Sequence, residues 1–352
     1  MSKYLDSRYS CIEPYVPGEQ PKLEKFIKLN TNENPYPPSP EVLRAVQSEA
    51  GRVNRYSDPD ARDLTLALAE NFGVKPENCF AGNGSDEILA ICFQALCPAG
   101  VAFPDLTYGF YPVYSRLYDV NTRVVPLMPD FRVRLEDYFG IGRTIVIANP
   151  NAPTGLALSR DEIERLLAEN ADNLVVIDEA YVDFGGQTVI PLTEKYDNLL
   201  VIGTFSKSRA MAGARLGYAV GHAELIGDLN RIKNSINPYN LNSMTMAAGV
   251  AALRDRAYFE SHCSKVCKTR DEFIEYIRKL GFFCADSAAN FVFVTHPSVD
   301  GKTLFDQLRE RRILVRWWDN PRIRNYLRIS IGTDEEMSAV CKALTEIVQP
   351  KN

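Results

Sequence analysis

Nowhere does the sequence run to roughly 18 apolar residues in succession, the length a bilayer crossing needs, so no membrane span is expected. Its opening residues, MSKYLDSRYSCIEPYVPG, have no apolar core of the signal-peptide kind, and none is expected to be removed. None of the eight cysteines forms a C-x-x-C pair. Their scatter speaks against a disulfide framework and for reduced thiols in the cytoplasm. There is no G-x-G-x-x-G and no G-x-x-x-x-G-K-[ST], which argues against nicotinamide dehydrogenases and P-loop nucleotide enzymes. Histidine is scarce, at three residues. His262 lies near Cys263 and Cys267, but the spacing falls within one helical stretch with no fourth ligand close by, so no metal is expected. A net charge of −5 gives no electrostatic reason to bind nucleic acid.

What the sequence does have is a regular supply of short apolar runs. They fall at Val101–Pro104, Arg123–Leu127, Thr144–Ala148, Leu174–Ile177, Leu199–Thr204 and Leu216–Val220. Helical patterns separate several of them, such as 85–96 and 160–169. Continuous apolar strands with helices between them predict an α/β fold whose mostly parallel sheet is covered by helices on both faces. Before these strands, helices are expected to open at "PPSPEVLRAVQSEA" and to span "DARDLTLALAENFGV". After them the pattern changes. One long helical stretch is read over 242–279, followed by a strand at 291–295, a helix at 303–311, strands at 313–317 and 326–331, and a closing helix from Asp334. This predicts a smaller α+β domain. The expected division is an N-terminal arm with part of the small domain at 1–40, a large domain at 41–240, and the small domain at 241–352.

Four segments at strand ends carry polar chemistry. In "AGNGSDEILAICFQAL", Gly82 and Gly84 permit a tight turn, and Ser85 is read as capping a helix whose free N–H groups form an anion site. An ordinary capped helix would look the same. "NPNAPTG" places Asn151 in a turn. In "LVVIDEAYVDF", Asp178 follows four apolar residues, so its carboxylate is poorly solvated and calls for a partner; Glu179 beside it reads as structural. In "GTFSKSRAMAGARLGYAVG", Lys207 follows an apolar strand, and a desolvated amine is a nucleophile toward carbonyls. Arg215 adds a second cation. Together these fit a ligand with a phosphate, an aromatic nitrogen and an aldehyde, which is pyridoxal phosphate.

The order "LNTNENPYPPSP", "GNGSDE", "LTYGFYP", "NPNAPTG", "IDEAYVDF", "TFSKSRAMAGARLGY" and "YLRISIGT" resembles the fold-type I pyridoxal-phosphate aminotransferases, and within them the histidinol-phosphate branch, along essentially the whole chain. The resemblance implies that Lys207 binds the cofactor aldehyde, Asp178 keeps a proton on the ring nitrogen, and Tyr181 donates to the phenolic oxygen. Tyr108 would stack on the ring. Gly84, Ser85, Asp86, Ser206 and Arg215 would surround the phosphate, with Tyr56 reaching the neighbouring subunit's phosphate in a homodimer. The family's asparagine before "PTG" is replaced by Ala152, which leaves Asn151 as the candidate for the phenolic oxygen.

The resemblance also assigns Arg328 and Arg316 to an anionic group of the substrate, with Tyr15 covering it; Arg322 and Arg324 read as solvated surface, and Trp317–Trp318 as packing. The implied reaction is transamination between histidinol phosphate and 2-oxoglutarate, giving imidazole-acetol phosphate and glutamate. Two other activities share these motifs: an aromatic amino-acid aminotransferase and a threonine-phosphate decarboxylase.

Overall fold

The computed structural model describes residues 2–10, 12–21 and 26–349. The first half of the chain forms β1 (Ile27–Lys28), α1 (Pro40–Ala50), α2 (Arg62–Phe72), β2 (Cys79–Gly82), α3 (Gly84–Ala95), β3 (Val101–Pro104), α4 (Phe110–Leu117), β4 (Thr122–Val125), β5 (Thr144–Ala148), α5 (Arg160–Ala168) and β6 (Val175–Asp178). The second half forms β7 (Leu199–Thr204), β8 (Gly217–Gly221), α6 (Ala223–Ile236), α7 (Ser243–Arg254), α8 (Arg256–Lys279), β9 (Phe283–Cys284), β10 (Phe291–Thr295), α9 (Gly301–Glu310), β11 (Ile313–Leu314), β12 (Leu327–Ser330) and α10 (Asp334–Val348).

Seven strands form the main sheet in the order β2-β8-β7-β6-β5-β3-β4. β3 to β7 run parallel, and β8 alone is antiparallel to its neighbours β2 and β7. The apolar runs are continuous because both faces are buried, and alternate residues serve opposite layers. Ile145, Ile147, Val175, Ile177, Leu199 and Val201 join one core with α2, α5 and α7. Val146, Val176, Leu200 and Ile202 join the other, with α3, α4 and α6. The carboxyl ends of β2, β5, β6 and β7 therefore share one edge. Because β8 runs the other way, its amino end, just after Arg215, reaches that same edge.

A third core gathers α8, α9, α10 and the three-stranded sheet β12-β10-β9. Leu29 of the arm belongs to it, and β1 pairs in parallel with β11. Two corrections follow. The stretch 242–279 is two helices, because Asp255 ends α7 and its side chain accepts from Tyr258 N to cap α8. α7 also belongs with the large sheet, not with the small domain: Ala248, Ala252 and Leu253 enter the first core. Its small residues allow this close approach; a Cβ on Gly249 would meet Leu216 at 2.5 Å. The smaller core thus starts at α8.

Candidate active site

At the shared edge, a cavity of about 170 Å³ is lined by Ser85, Asp86, Tyr108, Ala152, Asp178, Tyr181, Ser206, Lys207 and Arg215, with Thr31 and Glu33 of the arm. One end is built for an anion. α3 begins at Gly84, with Asn83 as its flanking residue and no side-chain cap. The reading of Ser85 as the cap is corrected: it lies inside the first turn. Glu87 instead accepts from Asn83 N, which leaves the N–H groups of the first turn unpaired within the helix. Those groups reach the cavity because β8 passes close behind them. A Cβ on Gly217 would meet Ser85 N at 2.4 Å, so only glycine fits there. Gly84 has φ +76, and a Cβ on it would meet Arg215 at 2.7 Å. Arg215 itself is left-handed, with φ +53, a strain of the kind that collects at functional sites.

Asp86 plays a different part from the one its neighbours suggest. Its carboxylate accepts from Arg215 Nη2 at 2.9 Å and from Tyr108 O–H at 2.7 Å. It fixes the cation and the aromatic ring, and only its backbone N–H is left for an anion. Ser206 Oγ accepts from Thr204 Oγ1 at 3.0 Å, which leaves the serine's own proton available.

Burial pushes the acid and the amine of this site toward their neutral forms. Asp178 ends β6 at 4% exposure. Burial pushes its carboxyl up to about 6, while donation from Tyr111 O–H at 2.9 Å and Ala180 N at 3.1 Å favours the ionised form. Tyr111 is a site residue that the sequence alone did not give. It lies 67 positions from Asp178 and is itself fully buried. Tyr111 lies in the first turn of α4, and no local pattern marks it as a partner of Asp178. Glu179 turns away, accepting from Thr188 Oγ1 and Val189 N.

Burial, with Arg328 nearby, lowers the Lys207 ammonium to about 8. At pH 7 about a tenth of such side chains are neutral, against about one in three thousand for an ordinary lysine. Its Nζ donates to Thr31 O at 3.1 Å. The loop that carries it is tied down on both sides: Asn34 Nδ2 donates to Lys207 O at 2.9 Å, and Ser208 Oγ donates to Asp183.

Asn151 is not at this cavity. Its Nδ2 donates to Leu106 O and to Thr154 Oγ1, so the side chain ties its turn to the loop after β3. Ala152 presents a methyl group to the cavity instead. The expectation that Asn151 takes over the contact to the phenolic oxygen is therefore corrected. Tyr181 O–H accepts from Asn32 Nδ2 at 3.0 Å, an arm contact within "LNTNENPYPPSP" whose partner the sequence does not indicate.

An adjoining cavity of about 290 Å³ is lined by Tyr15, Arg316, Trp318, Asn320, Arg328 and, shared with the first, Lys207. Arg316 and Arg328 bond to each other's backbone at 3.0 and 2.9 Å, which holds the two side chains adjacent. The Arg328 guanidinium lies 5.3 Å from the ring centres of both Phe291 and Trp318, and Arg316 lies 5.5 Å from Trp318. Trp318 therefore faces the site, contrary to its reading as packing, while Trp317 Nε1 donates to Arg324 O. Arg322 is not solvated surface either: it pairs with Asp105 and donates to Met128 O at 2.8 Å, bracing the pocket wall. Arg324 is exposed. Tyr56 lies away from both cavities, 83% exposed and stacked on Tyr239 with ring centres 4.4 Å apart. His262 is stacked on Tyr258, and no cluster of three or more metal-ligating side chains exists among the described residues.

Anion donors, a buried acid and a partly neutral lysine on one cavity are the donor set that a phosphate, a ring nitrogen and an aldehyde require, and they define a pyridoxal-phosphate enzyme of the lysine-linked kind. The chain belongs to the class I and II aminotransferases, whose sequence profile matches residues 24–344. It is 50% identical to histidinol-phosphate aminotransferase 2 of Thiobacillus denitrificans over 97% of each chain. It is 46% identical to histidinol-phosphate aminotransferase 1 of Hydrogenovibrio crunogenus over 100% of each. Among solved structures, it matches histidinol-phosphate aminotransferase of Sinorhizobium meliloti in complex with pyridoxal-5'-phosphate, with a TM-score of 0.88, 26% identity and 99% of each chain covered. No helix among the described residues is long and apolar enough to cross a membrane.

Proposed function

We propose that this chain is a cytoplasmic, homodimeric enzyme that transfers the amino group of histidinol phosphate to 2-oxoglutarate in histidine biosynthesis, with pyridoxal phosphate as cofactor. The observation that carries the substrate reading is the adjacent pair Arg316 and Arg328 beside Lys207. Two guanidinium groups held side by side repel each other, and Arg328 is partly desolvated by the two rings. A dianion such as a phosphate monoester relieves that cost better than one carboxylate does.

When bound, pyridoxal phosphate supplies an electron sink for the carbon that loses its proton. The chain's own groups do the rest. Arg215, Ser206 and the first N–H groups of α3 would hold the phosphate. Asp178 would keep a proton on the ring nitrogen. Tyr181 would donate toward the phenolic oxygen, and Tyr108 would cover the ring. The Lys207 amine would hold the aldehyde and, as a free base, would carry the proton at the reacting carbon. Tyr15 covers the substrate. On the same reading, the sheet body through α7 carries the cofactor and the body from α8 onward closes over the substrate.

The dimer is supported by an exposed apolar patch at Tyr56, where Tyr239 stacks on its ring and Leu66 lines the same surface groove. Such a patch is characteristic of an interface, and Tyr56 would reach the phosphate held by the second copy. Assays of the purified protein with histidinol phosphate, phenylalanine and threonine phosphate, each with 2-oxoglutarate, test the substrate. Glutamate formation should be fastest with histidinol phosphate. Preference for phenylalanine, or carbon dioxide release from threonine phosphate, would overturn the assignment. Sedimentation should give twice the mass of one chain.

A further inference from the structure

We infer that Asn32 is a positioning residue that aims the Tyr181 proton into the cofactor cavity. The inference rests on the reading of Tyr181 as the donor to the phenolic oxygen. Asn32 is 1% exposed and sits in the left-handed region at φ +55. Three contacts over-determine it. Its backbone N–H donates to Ser330 Oγ at 2.9 Å, Ser330 Oγ donates to Asn32 Oδ1 at 2.9 Å, and Asn290 Nδ2 donates to Asn32 O at 3.0 Å.

These contacts favour one facing of the amide. The Ser330 hydroxyl accepts from the backbone and gives its proton to Oδ1, so the NH₂ group is the end that meets Tyr181, at 3.0 Å. A phenol whose oxygen receives a hydrogen bond is a stronger donor. With the NH₂ group in place, the phenol cannot donate back to Asn32. Its proton must point elsewhere, and the open direction is the cavity that Tyr181 lines with Lys207 and Asp178. Ala152 offers a methyl group there and Asn151 is engaged with Leu106 and Thr154, so the aim of the phenol falls to the arm. Asn32 is thus supported by β12, the strand that also carries Arg328.

The test is a pH titration of the holoenzyme's visible absorbance, read in the wild type and in Asn32→Gly, Tyr181→Phe and the double variant. Glycine accepts the left-handed backbone, so Asn32→Gly removes the amide without adding strain. A proton donated to the phenolic oxygen weakens the negative charge that retains the neighbouring imine proton. Loss of that donation should raise the midpoint. Tyr181→Phe should raise it most, and Asn32→Gly by roughly 0.3–1 pH unit. In the Tyr181→Phe background, Asn32→Gly should add nothing. An equal shift in both backgrounds, or no shift from Asn32→Gly while Tyr181→Phe moves the midpoint, overturns the role of Asn32 alone. No shift from Tyr181→Phe overturns the reading of Tyr181 and the inference with it.

Discussion

Replacing Asp178 with asparagine should make the apoprotein more stable and the enzyme nearly inactive. The folded-state pKa of Asp178 is raised from 3.8 to about 6. The folded protein therefore binds more protons than the unfolded chain between these values. The stability contributed by this group is complete below pH 4 and is lost as pH rises through 6. At pH 7 the ionised carboxylate costs roughly 3 kcal/mol. Asparagine has the same shape and no charge. Its oxygen can accept from Ala180 N, and the Tyr111 hydroxyl can turn to accept from its NH₂ group. The apo variant should match the wild type at pH 4 and exceed it by up to about 3 kcal/mol at pH 7, as read by denaturant unfolding across that range.

The functional loss has the opposite sign. A carboxylate about 3 Å from a protonated ring nitrogen contributes roughly 5 kcal/mol at an effective dielectric near 20, or about four pK units. Asparagine supplies none of that. Turnover should fall at least ~10³-fold while the cofactor still binds through the anion site. A variant that is less stable than the wild type at pH 7, or that keeps turnover within ~10-fold, would refute this reasoning.

Other variants probe the neighbouring groups. Tyr111→Phe removes a donor to the Asp178 carboxylate, raises its pKa further, and should lower kcat ~10–100-fold with little change in KM. Arg328→Gln should raise KM for the phosphorylated substrate ~10–100-fold, with a smaller rise for the more exposed Arg316→Gln, both read from initial rates. Arg322→Ala leaves Asp105 without its cation and should lower the melting temperature by several degrees in a thermal scan.

How far the sequence revealed this site depended on the range of each interaction. Lys207, Asp178, Ser206 and Arg215 were legible because each flanks a short apolar strand, and parallel strands deliver their ends to one edge. The lone antiparallel strand β8 was not legible, since orientation leaves no mark on an apolar run. The break at Asp255 was missed because both flanking segments keep a helical pattern and the cap is a single side chain. Tyr111 and Asn32 act across 67 and 149 positions, and nothing local marks such partners. Asn151 was misplaced because its type suits a ligand contact, whereas Thr154 in its own turn and Leu106 in the loop after β3 take its amide protons. Arg322 looked like surface because its partners, Asp105 and the 127–128 backbone, lie far back in the chain.

The most direct measurement is borohydride reduction of the holoenzyme followed by peptide mass mapping. A single phosphopyridoxyl group should appear on the peptide containing Lys207, and none should appear in Lys207→Ala, which should also lose the visible absorbance and all turnover. A group fixed on a different lysine, or no group in the wild type, would contradict the site.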